Sequence, residues 1–355
     1  MKAAWYEKTG EAQTVLQIGE LDNPVPNKGE VLVQLKTSGI NPSDVKTRAG
    51  ARGELQCPKI IPHSDGAWTI VDVGEGVDKN RIGERVWIWN GAFGRAFGTC
   101  AELISLPEFQ AAKINDSVDF KSAACMGIPA STAYYGIFAN GSVKDKTVLI
   151  SGGAGAVGFY GIQLAKLSGA NVISTISSDE KAEVAQEAGA DKVINYKNED
   201  VVEEIMNYTD NKGVDRIFEV EFGGNLSINE KILKSNGVIA AYGSMAEIEP
   251  KLPFYNFMFK GIKIDTFLIY SINQNFRKEL INGLSKMLNE NSLKHMVTKT
   301  FSIDNIVEAH EAMESGNIIG NIVVEVSSEW LRYYLHYILF MVLSCFIHTQ
   351  RVTVS

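Results

Sequence analysis

Short apolar runs broken by glycine turns set the texture of the first third of the chain. Residues 30–36 alternate apolar and polar positions with a period of two, and residues 68–73 and 85–89 are further short runs of β character. This pattern predicts a compact β-rich unit at the front. A different pattern begins near residue 148, where Val148, Leu149 and Ile150 form an unbroken apolar run. Gly152, Gly153, Gly155 and Gly158 follow it, and residues 159–168 carry the apolar stripe of a helix that Gly169 ends. Strand-like runs recur at 171–176, 192–194, 215–220, 237–242 and 262–269, separated in places by helical stretches near 180–188 and 226–233. Apolar strands alternating with helices predict a parallel sheet covered on both faces, over about residues 120–265. Residues 298–302 and 321–326 again read as strands around a helix at 306–315. They are expected to return to the first unit, leaving a discontinuous domain of 1–119 and 266–326 beside one of 120–265.

The strand, glycine turn and helix start in immediate succession are the signature of a nucleotide-binding βαβ unit, and with it of a doubly wound Rossmann sheet of the α/β class. Gly152 and Gly155 would let the backbone turn tightly and approach a pyrophosphate, and Gly158 would let the new helix pack closely on its strand. The unpaired N–H groups at the start of that helix suit phosphate. About twenty residues on, an NAD site usually places an acid for the ribose hydroxyls. Here Ser177 and Ser178 stand there instead, with Asp179 later and Lys181 two residues beyond it. Hydroxyls and an ammonium suit a 2′-phosphate, so NADPH is the expected cofactor. The same residues also read as a helix cap, and the two readings are compatible.

A formal charge of −8 argues against a nucleic-acid surface as the main business of the chain. Cys57, Cys100, Cys125 and Cys345 are widely scattered with no CxxC, which suggests neither a disulfide framework nor a zinc knuckle. No signal-peptide core is present at the N-terminus, and a cytoplasmic location is expected. Residues 327–355 form an apolar tail, in which no Lys, Arg, Asp or Glu interrupts 333–350. That is close to the minimum of roughly 17 residues for a membrane span. A tail anchor, a helix packed on a dimer and an appended segment all remain open readings of it.

Further landmarks occur in order: Gly39-Ile40-Asn41-Pro42-Ser43-Asp44, Gly83-Glu84-Arg85-Val86, Gly127-Ile128-Pro129-Ala130-Ser131-Thr132-Ala133-Tyr134 and Ala188-Gly189-Ala190-Asp191. With these the chain resembles the medium-chain dehydrogenase/reductase superfamily over about residues 1–326, and within it the zinc-free quinone oxidoreductase branch that includes ζ-crystallin. The resemblance implies a GroES-like catalytic domain ahead of the Rossmann domain. Zinc-dependent members of the superfamily carry a cysteine where Asn41 stands and a Gly-His-Glu run where His63-Ser64-Asp65 stands. No metal is therefore expected, and His63 reads as a polar or loop histidine.

Without a Lewis acid, reduction of a conjugated acceptor is the less demanding chemistry, because the charge arriving with hydride delocalises onto oxygen. The resemblance implies hydride transfer from NADPH to a quinone, with reduction of enals or enones at the C=C bond, or cofactor binding with little turnover, as alternatives. It places Asn41 in the substrate cleft, where its amide would donate to an acceptor oxygen; the other reading is a turn amide before Pro42. Thr132 matches a position at the nicotinamide end, while Tyr134 reads as a core aromatic. Lys46 stands where several quinone reductases carry Tyr, and either orients acceptor or ribose or is solvated. On the cofactor side the resemblance sets Ala156 and Val157 beside the pyrophosphate, Ser177 and Lys181 at the 2′-phosphate, and Tyr196 at the adenosine end. It sets Gly243, Phe267, Leu268 and Ile269 beside the nicotinamide half. Asn321 departs from a common lysine, and Trp68 replaces a small residue frequent in a loop, hinting at a reshaped approach. A small-molecule substrate and a homodimer, paired along residues 262–269, complete these expectations.

Overall fold

Two large sheets organise the molecule in the computed structural model, which describes residues 1–327. At the centre of the first lies the long strand Glu30–Ile40, antiparallel to Asp65–Val73, Leu103–Pro107 and Asn321–Glu325. Arg85–Ile88 and Ala111–Lys113 extend one side, and Val297–Ser302 lies parallel to Asn321–Glu325 on the other. The period-two pattern buries Val31, Val33 and Leu35 completely while Glu30, Leu32 and Gln34 stay half-buried. Past Lys36 the alternation ends: residues 37–40 are all buried, so Thr37 and Ser38 must find polar partners inside.

The second sheet is wholly parallel, in the order Lys192–Asn195, Asn171–Ile176, Thr147–Ser151, Val214–Glu219, Leu233–Ala241, Lys263–Thr266. Winding proceeds outward from Thr147–Ser151 in one direction, then restarts beside it with Val214–Glu219. That reversal opens a crevice at the carboxyl ends of the strands, where such sheets bind nucleotides. The helices Ala156–Leu167, Asp179–Glu187, Val201–Tyr208 and Phe222–Ile232 connect the strands. This is a Rossmann sheet joined to a sheet-rich GroES-like unit.

One apolar cluster runs from the first unit into the second and includes Trp87, Met126, Ile128 and Phe159. The helix Gln274–Asn289 adds Leu280, Leu284 and Leu288, a stripe at i, i+4 and i+8 that packs toward Ser131–Phe138. Trp87 Nε1 donates to Ser285 Oγ at 3.0 Å, tying that helix to the β-rich unit. Tyr134 is a core aromatic, edge-on to Phe138 and Phe276.

Two expectations need correction. The run 262–269 is a strand only over Lys263–Thr266. Its partner ends at Ala241, so the last backbone bond is Phe267 N–H to Ala241 O (3.1 Å), after which Ile269–Ser271 forms a short 3-10 turn. Arg277 holds that turn by donating to the Ile269 carbonyl. Trp68 is not a loop residue; it sits within Asp65–Val73, paired with Leu35 and Val86, with its ring edge toward Phe120 at 6.4 Å. The apolar tail and its membrane contact lie outside the described residues, among which no helix is long and apolar enough to cross a membrane.

Candidate active site

The glycine loop leaves the sheet after Ser151. Gly152 has φ 72°, a left-handed conformation that costs a side chain but not glycine. A Cβ on Gly158 would lie 2.2 Å from the Gly152 carbonyl oxygen, so glycine is required for the helix to start this close to the loop. Gly155 differs: it is the exposed N-cap of Ala156–Leu167, with no side-chain cap, and a Cβ there would meet only Gly152 O at 3.4 Å. The half-buried Ala156 and Val157 form the first turn, whose N–H groups have no intrahelical partner. Gly320 N donates to Ala154 O at 3.1 Å, bringing the late loop against the glycine loop. Neighbouring Asn321 is buried and donates to Met296 O, so it is committed to structure.

At the end of the second strand, Lys181 Nζ lies 3.1 Å from Ser177 Oγ, and Ser178 caps the helix Asp179–Glu187 by accepting from Lys181 N–H. The capping reading and the juxtaposition of hydroxyl and ammonium therefore hold together. Lys181 is in no ion pair among the described residues. A cavity of about 490 Å³ opens beside this end, lined by Ser151, Gly152, Thr175, Tyr196, Val220 and Glu221 among others. Tyr196 is 53% exposed. Gly243 passes so close to Val220 that a Cβ would lie 2.4 Å from its carbonyl oxygen. Phe267 packs on Tyr135, Leu268 is exposed and Ile269 is buried.

On the β-rich side, Asn41 caps the helix Pro42–Arg48, and its N–H donates to the Asp44 carboxyl at 2.8 Å. Its side-chain Nδ2 donates to Asp65 Oδ2 at 2.9 Å. Asp65 Oδ2 also accepts from Ile128 N–H at 3.0 Å, in the π-helical turn Met126–Ala130 that leads into the helix bearing the buried Thr132. One fully buried carboxyl thus clasps both the segment of Asn41 and the segment of Thr132. Burial pushes Asp65 well above the usual carboxylate range, with Asp44 adding to it. Burial likewise pushes Asp44 up to about 7. Lys46 is half-buried on the same helix; burial and then the Arg52 guanidinium lower its ammonium, and Glu221 across the cleft opposes them.

His63 is fully buried at φ 75° and anchors a chain of hydrogen bonds not foreseen from the sequence. Thr99 Oγ1 donates to the Asp65 carbonyl at 2.6 Å, which uses its one proton. Ser38 must then donate to Thr99 at 2.7 Å, so His63 Nδ1–H donates to Ser38 Oγ at 2.9 Å. Burial lowers the proton affinity of both His63 and His310, leaving neutral rings. His63 Nε2 therefore accepts from His310 Nε2–H at 3.0 Å. His310 Nδ1 is left as a bare acceptor, and it is indeed a buried atom with no partner. The sequence signal for this series of bonds was a histidine standing where the resemblance gives zinc-dependent members a glycine.

Residues 27–140 match the family described as alcohol dehydrogenase GroES-like domain, and residues 156–286 the family described as zinc-binding dehydrogenase. Quinone oxidoreductase from Homo sapiens is 26% identical over 320 residues, 89% of this chain and 95% of that protein. The chain belongs to the medium-chain dehydrogenase/reductase superfamily, in its quinone oxidoreductase branch. The solved structure of Escherichia coli quinone oxidoreductase complexed with NADPH superposes with a TM-score of 0.81 at 25% identity, covering 92% of this chain and 100% of that one. That of 2-haloacrylate reductase superposes with a TM-score of 0.80 at 26% identity, covering 92% and 100%. The present chain is an NAD(P)-dependent oxidoreductase with a small-molecule substrate.

The zinc named in one family description does not fit the residues here. Asn41 offers an amide already donating to Asp65, and Asp65 Oδ2 already accepts two N–H bonds. His63 has both ring nitrogens engaged, and no group of three or more His, Cys, Asp or Glu is arranged for a metal among the described residues. A nicotinamide dinucleotide does fit: the loop is open at Gly155, the helix start is uncapped, and a cavity lies beside Tyr196.

Proposed function

We propose that this oxidoreductase uses NADPH to reduce a quinone without a metal ion. The observation that carries the cofactor choice is the contact of Lys181 with Ser177 at the strand end, where an NAD site would hold an acid. When bound, the cofactor supplies the hydride. The uncapped N–H groups of Ala156 and Val157, with Gly152 and Gly155 below them, hold the pyrophosphate, and Gly158 keeps that helix close. Ser177 and Lys181 take the 2′-phosphate and Tyr196 the adenine. Thr132, Gly243 and the stretch Phe267, Leu268 and Ile269 border the nicotinamide half. Asn41, steadied by Asp65, keeps a second amide N–H for the acceptor oxygen on which negative charge collects. Lys46, on the helix that Asn41 caps, orients the acceptor or the ribose.

In this reading residues 1–119 and 266–326 form the catalytic domain and 120–265 the cofactor domain, supported by the pairing of Asn321–Glu325 with Glu30–Ile40. The enzyme is a cytoplasmic homodimer. Its three described cysteines are free, which suits a reducing compartment. The edge strand Lys263–Thr266 and the exposed Phe254, Tyr255, Met258 and Phe259 beside it suit a second copy. Likeness to 2-haloacrylate reductase favours one further reading, reduction of a conjugated C=C bond.

The test is NADPH oxidation by metal-stripped protein against benzoquinones and enals, with NADH and Lys181→Ala in parallel. Quinones should turn over faster than enals without added zinc, and the variant should lose about tenfold in NADPH affinity and much less in NADH affinity. Dependence on zinc, or a preference for enals, would overturn the quinone reading. An unchanged cofactor preference in the variant would sink the phosphate assignment.

A further inference from the structure

We infer that the acceptor carries an anionic group, a carboxylate in the simplest case, which Arg52 receives at the mouth of a cavity beside the Asn41 helix; this rests on the reading of the cleft as an acceptor-reducing site. The cavity, about 150 Å³, is lined among others by Tyr6, Asp44, Arg52, His63, Phe93 and Tyr270. Its aromatic wall is rigid. Tyr270 and Phe93 stack with centroids 4.5 Å apart, and the Tyr270 hydroxyl lies 2.9 Å from Ser43 Oγ, two residues beyond Asn41.

Arg52 is set apart from the other arginines. Arg48, Arg81, Arg85, Arg95, Arg216 and Arg277 all donate to carbonyl or carboxyl oxygens. Among the described residues Arg52 alone of the arginines has neither a hydrogen bond nor an ion pair; its guanidinium stands over the Tyr270 ring, 5.8 Å from the centroid. The nearby charges make no ion pair with it. Lys46 is a like charge that it disfavours, and Asp44, whose ionised form it favours, is pushed up by burial to about 7. Glu54 on the same lining is exposed and makes no ion pair with it, while Arg95 is already matched by Glu30 at 3.9 Å. In a chain of net charge −8, this leaves one guanidinium at the mouth of the cavity with no carboxylate in contact with it among the described residues. A guanidinium fork held against an aromatic face pairs with a carboxylate through two parallel N–H bonds. The cavity adjoins the Asn41 segment, since Asp44 on its lining accepts from the Asn41 N–H.

The experiment uses a matched pair of acceptors, a benzoquinone with a butanoate side chain and its primary amide, so that charge changes and the ring does not. Wild type should favour the carboxylate in kcat/KM. Arg52→Gln should reduce that preference about tenfold, chiefly through KM, and Arg52→Lys should restore part of it. Raising the salt concentration should narrow the preference in wild type. Arg52 is exposed, so the melting temperature should stay within about one degree. An unchanged carboxylate-to-amide ratio overturns the inference. So does a weaker NADPH Kd with an unchanged ratio, which would assign Arg52 to a cofactor phosphate. If neither quinone is reduced, the quinone reading fails by itself, and calorimetric binding of benzoate against benzamide to the NADPH-saturated protein still decides the anion site. Benzoate bound only when Arg52 is present supports it, and equal binding to Arg52→Gln refutes it.

Discussion

His63 adopts a backbone conformation that a side chain reaches at a cost of about 1–3 kcal/mol. The bonds to Ser38 and His310 offset that cost and impose one direction on the whole chain of donors. Nitrogen-15 NMR should find His63 protonated at Nδ1 and His310 at Nε2, and the opposite tautomers would contradict the derived order. The same burial sets a pH dependence. Both histidines have folded pKa values below the unfolded 6.5, His310 at about 3. The unfolded chain therefore takes up protons first as the pH falls below 6.5, and stability is lost from there toward the folded values, by at most about 1.4 kcal/mol per pH unit for each ring. Asp44 and Asp65 run the other way, since their raised folded values favour the fold below pH 4 and weaken it as the pH rises toward 7 and beyond. Denaturant unfolding of His63→Gly against wild type isolates the histidine share. The stability difference should shift toward the variant as the pH drops from 6.5 to 5, and a pH-independent difference would refute the assignment.

At the scale of elements, the glycine loop separates two demands that look alike in the sequence. Gly158 serves packing, because any Cβ would press on Gly152 O, whereas a Cβ at Gly155 would reach Gly152 O only at an ordinary contact distance of 3.4 Å. Gly158→Ala should cost about 1–3 kcal/mol and lower the melting temperature. Gly155→Val should melt like wild type yet lose at least about tenfold in affinity for NADPH and NADH alike, because its methyl groups would fill the path of the pyrophosphate. Calorimetric melting and fluorescence titration distinguish the two, and equal thermal damage in both variants would show the distinction to be false.

For the whole molecule, the proposed dimer would form around the edge strand Lys263–Thr266. Beside it Phe259 is 79% exposed and Tyr255 67%, apolar surface of the kind a second copy would cover. Sedimentation should give twice the chain mass for wild type and a smaller species for Tyr255→Glu with Phe259→Glu. A monomeric wild type would remove the dimer from the proposal.

What the chain alone determined was the order of its units, the parallel sheet and the loop for a dinucleotide, because these rest on local periodicity and on glycines at short fixed spacings. The adjacency of Ser177 and Lys181 was legible for the same reason, since four residues span one helical turn. Tertiary structure decided where the strand after Ile262 stops, because its length is set by the partner that ends at Ala241. It also decided what Asn41 touches. The bonds of Asn41 to Asp65, of His63 to His310 and of Ser43 to Tyr270 join residues 24, 247 and 227 positions apart. No local pattern encodes contacts of that range, and burial, which makes each of those polar groups seek a partner, exists only once the chain has folded.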